Sequence, residues 1–225
     1  MMELVSLSKT YQGRRVLNIP ALTLLEGETY ALLGANGSGK STLLRILAGV
    51  LVPDAGRMRL PEESGQVGYL PQRPYGFQRS VLKNVTMALS SSHPRPEEAA
   101  LAALGRVGME NMARENGSRL SGGETQRMAF ARMIVRPRKL LLLDEPTSAT
   151  DIAGNDLVEA ALLEYQRETG CTVLMATHSL AQAARLCRRM IFLHRGEIVA
   201  EGPIRQLLDA PEDPHLREFL AHWRI

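Results

Sequence analysis

Cysteine is nearly missing: Cys171 and Cys187 are the two in 225 residues, too few for a disulfide framework. Cys171 opens the apolar run CTVLMAT, which marks it as a small buried hydrophobe. Aromatic residues make up only 4% of the chain, so any cluster of them stands out. No apolar stretch approaches the ~20 residues that cross a bilayer. The opening MMELVSLSKTY lacks the charged-then-apolar layout of a secretory leader. The chain is therefore expected to be cytosolic, with any membrane role supplied through a partner. Charge of one sign is lacking too: 27 Lys and Arg against 24 Asp and Glu leave a net +3. A pI near 9.1 permits a nucleic-acid or anionic-membrane contact without arguing for one. The short basic clusters, Arg136–Arg138–Lys139 and Arg185–Arg188–Arg189, read as a solvated face, and no nucleic-acid partner is expected.

What is present is an α/β pattern of a size that fits one large domain with a small insertion. MELVSLS and RVLNIPALTL read as strands punctuated by Gly13 and Gly27. ETYALLG is an apolar strand running into a glycine-rich loop, and STLLRILAGV is a helix stopping at Gly49. RMRL and QVGYLPQ read as further strands. Residues 73–118 turn richer in Ser, Pro and Arg and hold two helical patterns, SVLKNVTMAL and EEAALAALGRVG. From 119 helix and strand alternate: GETQRMAFARMIV, KLLLLDEP, a helix near 153–168, TVLMATH, SLAQAARLC and a hairpin turning at Arg195–Gly196. Continuous apolar strands alternating with helices predict a mainly parallel sheet. PIRQLLDA and LREFLAHW close the chain as a short cap. The expected division is one domain: a core of 1–72 and 119–202 with an N-terminal antiparallel β subdomain, a helical subdomain at 73–118, and a helical tail at 203–225.

Gly34-Ala-Asn-Gly-Ser-Gly39-Lys40-Ser41 matches G-x4-G-K-[ST] between a strand and a helix. Gly34 and Gly39 let the backbone curl so that successive N–H groups face a phosphate chain. Lys40 supplies a point charge to the β/γ oxygens, and the Ser41 hydroxyl suits Mg²⁺. Four leucines in LLLLDEP form a buried strand that delivers Asp144 to its carboxyl end, where open α/β sheets place ligands. Asp144 suits the magnesium and Glu145 suits a general base for an attacking water. A second anion-gripping helix start, SRLSGGETQR at 118–127, then needs an explanation, because one phosphate loop is already complete.

Together these elements resemble the nucleotide-binding subunits of ATP-binding cassette (ABC) transporters, across essentially the whole chain and in the family's order. The resemblance implies a P-loop NTPase (RecA-like) core carrying the β and helical subdomains. It implies that Tyr11 stacks on adenine and that Gly34, Asn36, Gly37, Ser38, Gly39, Lys40, Ser41 and Thr42 form the nucleotide cradle. Gln72 of YLPQ resembles the Q-loop glutamine, and Leu120-Ser121-Gly122-Gly123-Glu124 the family signature. Asp144–Glu145 is similar to the acidic pair, Ser148-Ala-Thr-Asp151 to the dimer loop after it, and His178 of MATHS to the switch histidine. Glu145, His178 and Gln72 would be catalytic, and Ser41, Asp144 and Gln72 would hold Mg²⁺. The chain departs from the common S-A-L-D loop by Thr150, which should keep the backbone course while loosening packing.

The resemblance also explains the second helix start. It implies that two copies pack head to tail, with the Ser121–Gly123 turn of each gripping the γ-phosphate of ATP held by the other. Pro74, Tyr75 and Phe77, an aromatic patch after Gln72, are expected to receive a cytoplasmic helix of an integral membrane permease. A separate chain with a short tail fits an importer ATPase at the cytoplasmic face of the membrane, fed by an extracytoplasmic binding protein. The wording of YLPQRPYGFQRSVLKNV and LSGGETQR resembles ATPases of tungstate- or molybdate-type oxyanion importers. Two other functions stay open at this point: a soluble ABC ATPase of DNA repair or translation, and a P-loop small-molecule kinase.

Overall fold

The computed structural model describes residues 1–61 and 66–222. The end of the expected tail, 223–225 with Trp223, lies outside the described residues. The chain divides into two compact units. One comprises 1–69, 139–144 and 170–225, and the other 70–138 and 145–169.

The first unit is built on two sheets. β1 (Met2–Tyr11) and β2 (Arg14–Leu24) form an antiparallel hairpin joined at Gln12–Gly13, and β4 (Ala55–Arg59) adds antiparallel to β1. This is the N-terminal β subdomain the sequence predicts. The second sheet has the order β5-β6-β7-β3-β8-β9, from β5 (Val67–Leu70), β6 (Leu140–Asp144), β7 (Thr172–Ala176), β3 (Thr29–Leu33), β8 (Arg189–His194) and β9 (Glu197–Pro203). β6, β7, β3 and β8 run parallel, while β8 and β9 form the expected hairpin. Its two turn residues, Arg195 and Gly196, both have positive φ, the geometry that matches strand twist in a tight hairpin. β3, β6 and β7 are buried along their whole length, as their unbroken apolar composition requires.

α1 (Lys40–Leu47) presents Leu43, Leu44, Ile46 and Leu47 to a core shared with Leu32, Leu142, Leu174 and Ile191. α6 (Leu180–Leu186) is capped by Ser179, and α7 (Ile204–Asp209) and α8 (Pro214–Ala221) form the C-terminal cap. Cys171 and Cys187 are buried thiols with no disulfide between them, and burial pushes the Cys187 thiol up to about 12. Among the described residues no helix is long and apolar enough to cross a membrane.

The second unit is helical: α2 (Val81–Thr86), α3 (Pro96–Arg106), α4 (Gly122–Ile134) and α5 (Ile152–Thr169). It differs from the expected insertion because α4 and α5 group with it. α4 packs against α2, α3 and α5, so its apolar face belongs to the helical core. Arg106 ties α3 to α5 through Glu168 at 2.9 Å and Glu164 at 3.8 Å. The boundary between the units passes between Asp144 and Glu145.

Candidate functional site

Within the first unit, parallel register brings three expected residues to one sheet edge. Leu32 pairs with Ala176, and Ala176 pairs with Asp144. Gly34 therefore follows the end of β3, His178 the end of β7, and Asp144 ends β6, all at the carboxyl edge. Asp144 is 2% exposed. The turn carrying His178 is fixed by Thr177, whose hydroxyl donates to Gln182 Oε1 at 2.7 Å and accepts from Ser179 N–H at 3.1 Å.

The loop from Gly34 to Thr42 is shaped by its own lysine. Lys40 Nζ donates to the carbonyls of Gly34 at 2.7 Å and Ala35 at 3.1 Å, and the side chain is buried. Gly34 has φ +150°, and a Cβ there would stand 2.3 Å from the Leu193 carbonyl oxygen. Gly196 N–H donates to Ser38 O at 2.9 Å, so the β8–β9 hairpin braces the loop from below. Leu193 and Gly196 were not recognised as loop supports in the sequence, because the signal there reads only as a turn. Ser38 Oγ is buried without a hydrogen-bond partner among the described residues. A glycine-rich turn before a helix with an orphaned buried hydroxyl suits an incoming phosphate. Ser41 stands in the first turn of α1, in the same unit as Asp144. Tyr11 ends β1 exposed at the hairpin, with Lys9 Nζ 5.7 Å from its ring.

The second unit holds the remaining candidates. Gln72 Nε2 donates to Glu145 Oε2 at 2.9 Å. Glu145 has φ +51°, a left-handed backbone unusual for a residue with a side chain. Ser121 is the N-cap of α4 in a complete capping box: its hydroxyl accepts from Glu124 N–H at 3.3 Å, and Glu124 Oε2 accepts from Ser121 N–H at 2.8 Å. The Ser121 hydroxyl also bonds Glu124 Oε2 at 2.7 Å. These bonds from the Ser121 hydroxyl and then its N–H hold the Glu124 carboxyl below its ordinary range, against a smaller opposing effect of burial. In the single chain, then, the anion at this helix start is Glu124 itself. The S-x-x-E spacing that signals the box was visible in the sequence.

Gly123 has a reason inside the chain as well. A Cβ there would stand 2.9 Å from the Ala149 carbonyl oxygen and 3.3 Å from Thr150 Cα. Thr150 does not loosen its loop: its hydroxyl donates to Thr147 O at 3.0 Å and also bonds Asn155 Oδ1. Asp151 Oδ1 accepts from Gly154 N–H at 2.8 Å, and Ser148 is exposed beside it.

The aromatic patch is built rather than loose. Tyr75 and Phe77 meet edge to face at 5.5 Å and are 67% and 40% exposed. Pro74 precedes them half-buried. Asn84, fully buried, accepts from Phe77 N–H at 2.9 Å and donates to the carbonyls of Phe77, Arg79 and Ser80. The Arg132 guanidinium lies 5.1 Å from the Phe77 ring and reaches Tyr75 O at 3.3 Å and Asn84 Oδ1 at 2.9 Å. Asn84 and Arg132 carry no sequence signal of this role, since each is separated from the patch by a turn or a helix.

A sequence profile of the ABC transporter family matches residues 17–148. The putrescine transport ATP-binding protein PotG of Escherichia coli is 34% identical over 233 residues, covering 98% of this chain and 62% of that protein. The chain thus spans less than two thirds of PotG's length. The tungstate uptake system ATP-binding protein TupC of Peptoclostridium acidaminophilum is 32% identical over 201 residues, covering 86% of this chain and 94% of TupC. Among solved structures, the dimeric post-hydrolysis state of the ATP-binding cassette MJ0796 bound to ADP and Pi has a TM-score of 0.81 at 28% identity, covering 91% of this chain and 99% of that one.

Proposed function

The chain belongs to the ABC transporter family, and we propose that it is the ATP-hydrolysing subunit of a solute importer. It binds ATP, works as a head-to-tail homodimer and attaches to integral membrane permease subunits at the cytoplasmic face. An extracytoplasmic binding protein supplies the cargo. The observation that supports this reading best is the register that aligns Gly34, Asp144 and His178 on one sheet edge, beside a lysine-tied phosphate cradle.

The roles follow from the chemistry of each group. Tyr11 lies against the adenine ring. Inward N–H groups from Gly34 to Thr42, with Ser38 Oγ, hold the phosphates, and Lys40 exchanges loop carbonyls for β/γ oxygens. Ser41 and Asp144, with Gln72, hold Mg²⁺, which supplies charge neutralisation on the β/γ oxygens when bound. Glu145 takes the proton of the attacking water. His178 contacts the γ-phosphate and positions that water. Ser121, Gly122 and Gly123 address the partner copy's γ-phosphate, and Ser121 is released from Glu124 as it does so. Ser148 and Asp151 line the contact between copies. Loss of the γ-phosphate removes the bridge and reopens the dimer.

Pro74, Tyr75 and Phe77, stiffened by Asn84 and Arg132, receive a permease helix. Replacing Tyr75 and Phe77 with Ala is expected to abolish co-purification with the permease while ATP affinity stays unchanged. Retained co-purification overturns this assignment. Against the kinase alternative, purified chain given ATP and magnesium is expected to release inorganic phosphate without an added acceptor. The oxyanion cargo rests on likeness in wording to importers such as TupC. Isolating the complex and identifying the small molecule on its binding protein tests it; a polyamine or a vitamin there refutes it.

A further inference from the structure

Gln126 sits one turn into α4 and is fully buried, an uncommon place for a primary amide. Its Nε2 donates to the main-chain carbonyl of Glu145 at 2.7 Å. The same carbonyl accepts from Ser148 N–H at 3.2 Å, closing the turn that leads to the 148–151 loop. Glu145 itself has φ +51°, a backbone state that a residue with a side chain keeps only where its surroundings hold it. At its other end the Glu145 carboxylate accepts from Gln72 Nε2 at 2.9 Å. A second contact ties the same helix to the same turn: Gly123 lies so close to Ala149 and Thr150 that a Cβ would be 2.9 Å from the Ala149 oxygen.

We propose that Gln126 is a positioning residue for the hydrolytic reaction. It fixes the backbone of Glu145 in its left-handed conformation and so sets where the carboxylate points. Because Gln126 and the Ser121–Gly123 turn share one helix, it also makes Glu145 move with α4. Engagement of a partner's nucleotide at the start of α4 then acts on the general base of the helix's own chain. The inference rests on the reading of Glu145 as base and of the α4 start as the contact for the second copy's ATP.

The test is steady-state and single-turnover ATP hydrolysis by Gln126→Met, which keeps length and apolar volume but has no donor. kcat is expected to fall about 10- to 100-fold, the loss that a misplacement of about an ångström brings. KM stays within about twofold, and the ATP dependence loses cooperativity because the two sites no longer report to one another. In a Glu145→Ala background the substitution changes residual hydrolysis no further, since its only route of action is gone. Gln126→Leu, likewise apolar and without a donor, carries the same expectation should the Met variant fold poorly. A wild-type kcat in the folded variants, a loss confined to KM, or a further loss in the Glu145→Ala background overturns the proposal. Failure of the dimer reading is distinguishable: it leaves wild-type hydrolysis independent of protein concentration, whereas failure of the Gln126 proposal leaves the wild type untouched.

Discussion

Gln72 Nε2 donates to Glu145 Oε2 across 2.9 Å, joining the segment before the aromatic patch to the residue expected to activate water. The amide gives the carboxylate one fixed orientation. Gln72→Ala is expected to lower kcat about tenfold with little change in ATP affinity, the order expected for one lost bond to a charged group at an exposed position. Comparing kcat with ATP affinity by steady-state assay and calorimetry checks this; a fall in affinity with kcat preserved refutes it.

Lys40 both ties and charges the phosphate cradle. Its Nζ already donates to Gly34 O and Ala35 O, so the loop is formed before any ligand arrives. Lys40→Ala removes a buried charge-assisted donor, a loss of roughly 1.5–3 kcal/mol, so ATP affinity should drop at least about tenfold in calorimetric titration. Wild-type affinity contradicts the assignment.

Gly34→Ala tests the loop's floor. The added Cβ would stand 2.3 Å from the Leu193 carbonyl oxygen, a backbone atom that cannot give way cheaply, and 2.6 Å from the Ser38 hydroxyl. Overpacking of this kind costs about 1–3 kcal/mol. A lower Tm with loss of ATP-induced stabilisation in a thermal melt is expected; an unchanged melt counts against the geometry.

Much of this was legible in the sequence because the signals were local. The G-x4-G-K-S match, the buried leucines before Asp144 and the turn at Arg195–Gly196 each determine their own backbone. The grouping of α4 and α5 with the helical insertion was not legible, since both helices alternate with strands as core helices do. Their partners, α2 and α3, are set by apolar faces meeting across long separations. Gln126 and Asn84 escaped for a related reason. A buried amide is identified by the carbonyl it satisfies, here Glu145 O and Phe77 O, and no spacing rule names that carbonyl.

The C-terminal cap is expected to respond to pH. His194 of β8 stacks on His215 of α8 at 3.9 Å with ring planes 7° apart. Burial first, then the neighbouring His215 and Arg195, pull the His194 pKa below 6.5, while Asp213 and Glu218 oppose them. The folded chain therefore binds this proton less readily than the unfolded one, so the stability is present above about 6.5 and lost as pH falls toward the lower folded value. Hydrogen exchange across 214–221 should quicken below about pH 6.5 relative to the rest of the chain, and His215→Ala should flatten that dependence. Uniform protection from pH 8 to 5.5 rules it out.

The central claim is that the γ-phosphate is gripped by two copies of this chain, one through its phosphate cradle and one through Ser121–Gly123. Glu145→Gln preserves shape and binding but removes the base, so bound ATP persists. Sedimentation velocity of that variant with ATP and magnesium, set against ADP, measures the claim directly. A dimer of the 24.8 kDa chain in ATP that dissolves in ADP is the expected result. A monomer at every ATP concentration, in a variant that binds ATP normally, contradicts it.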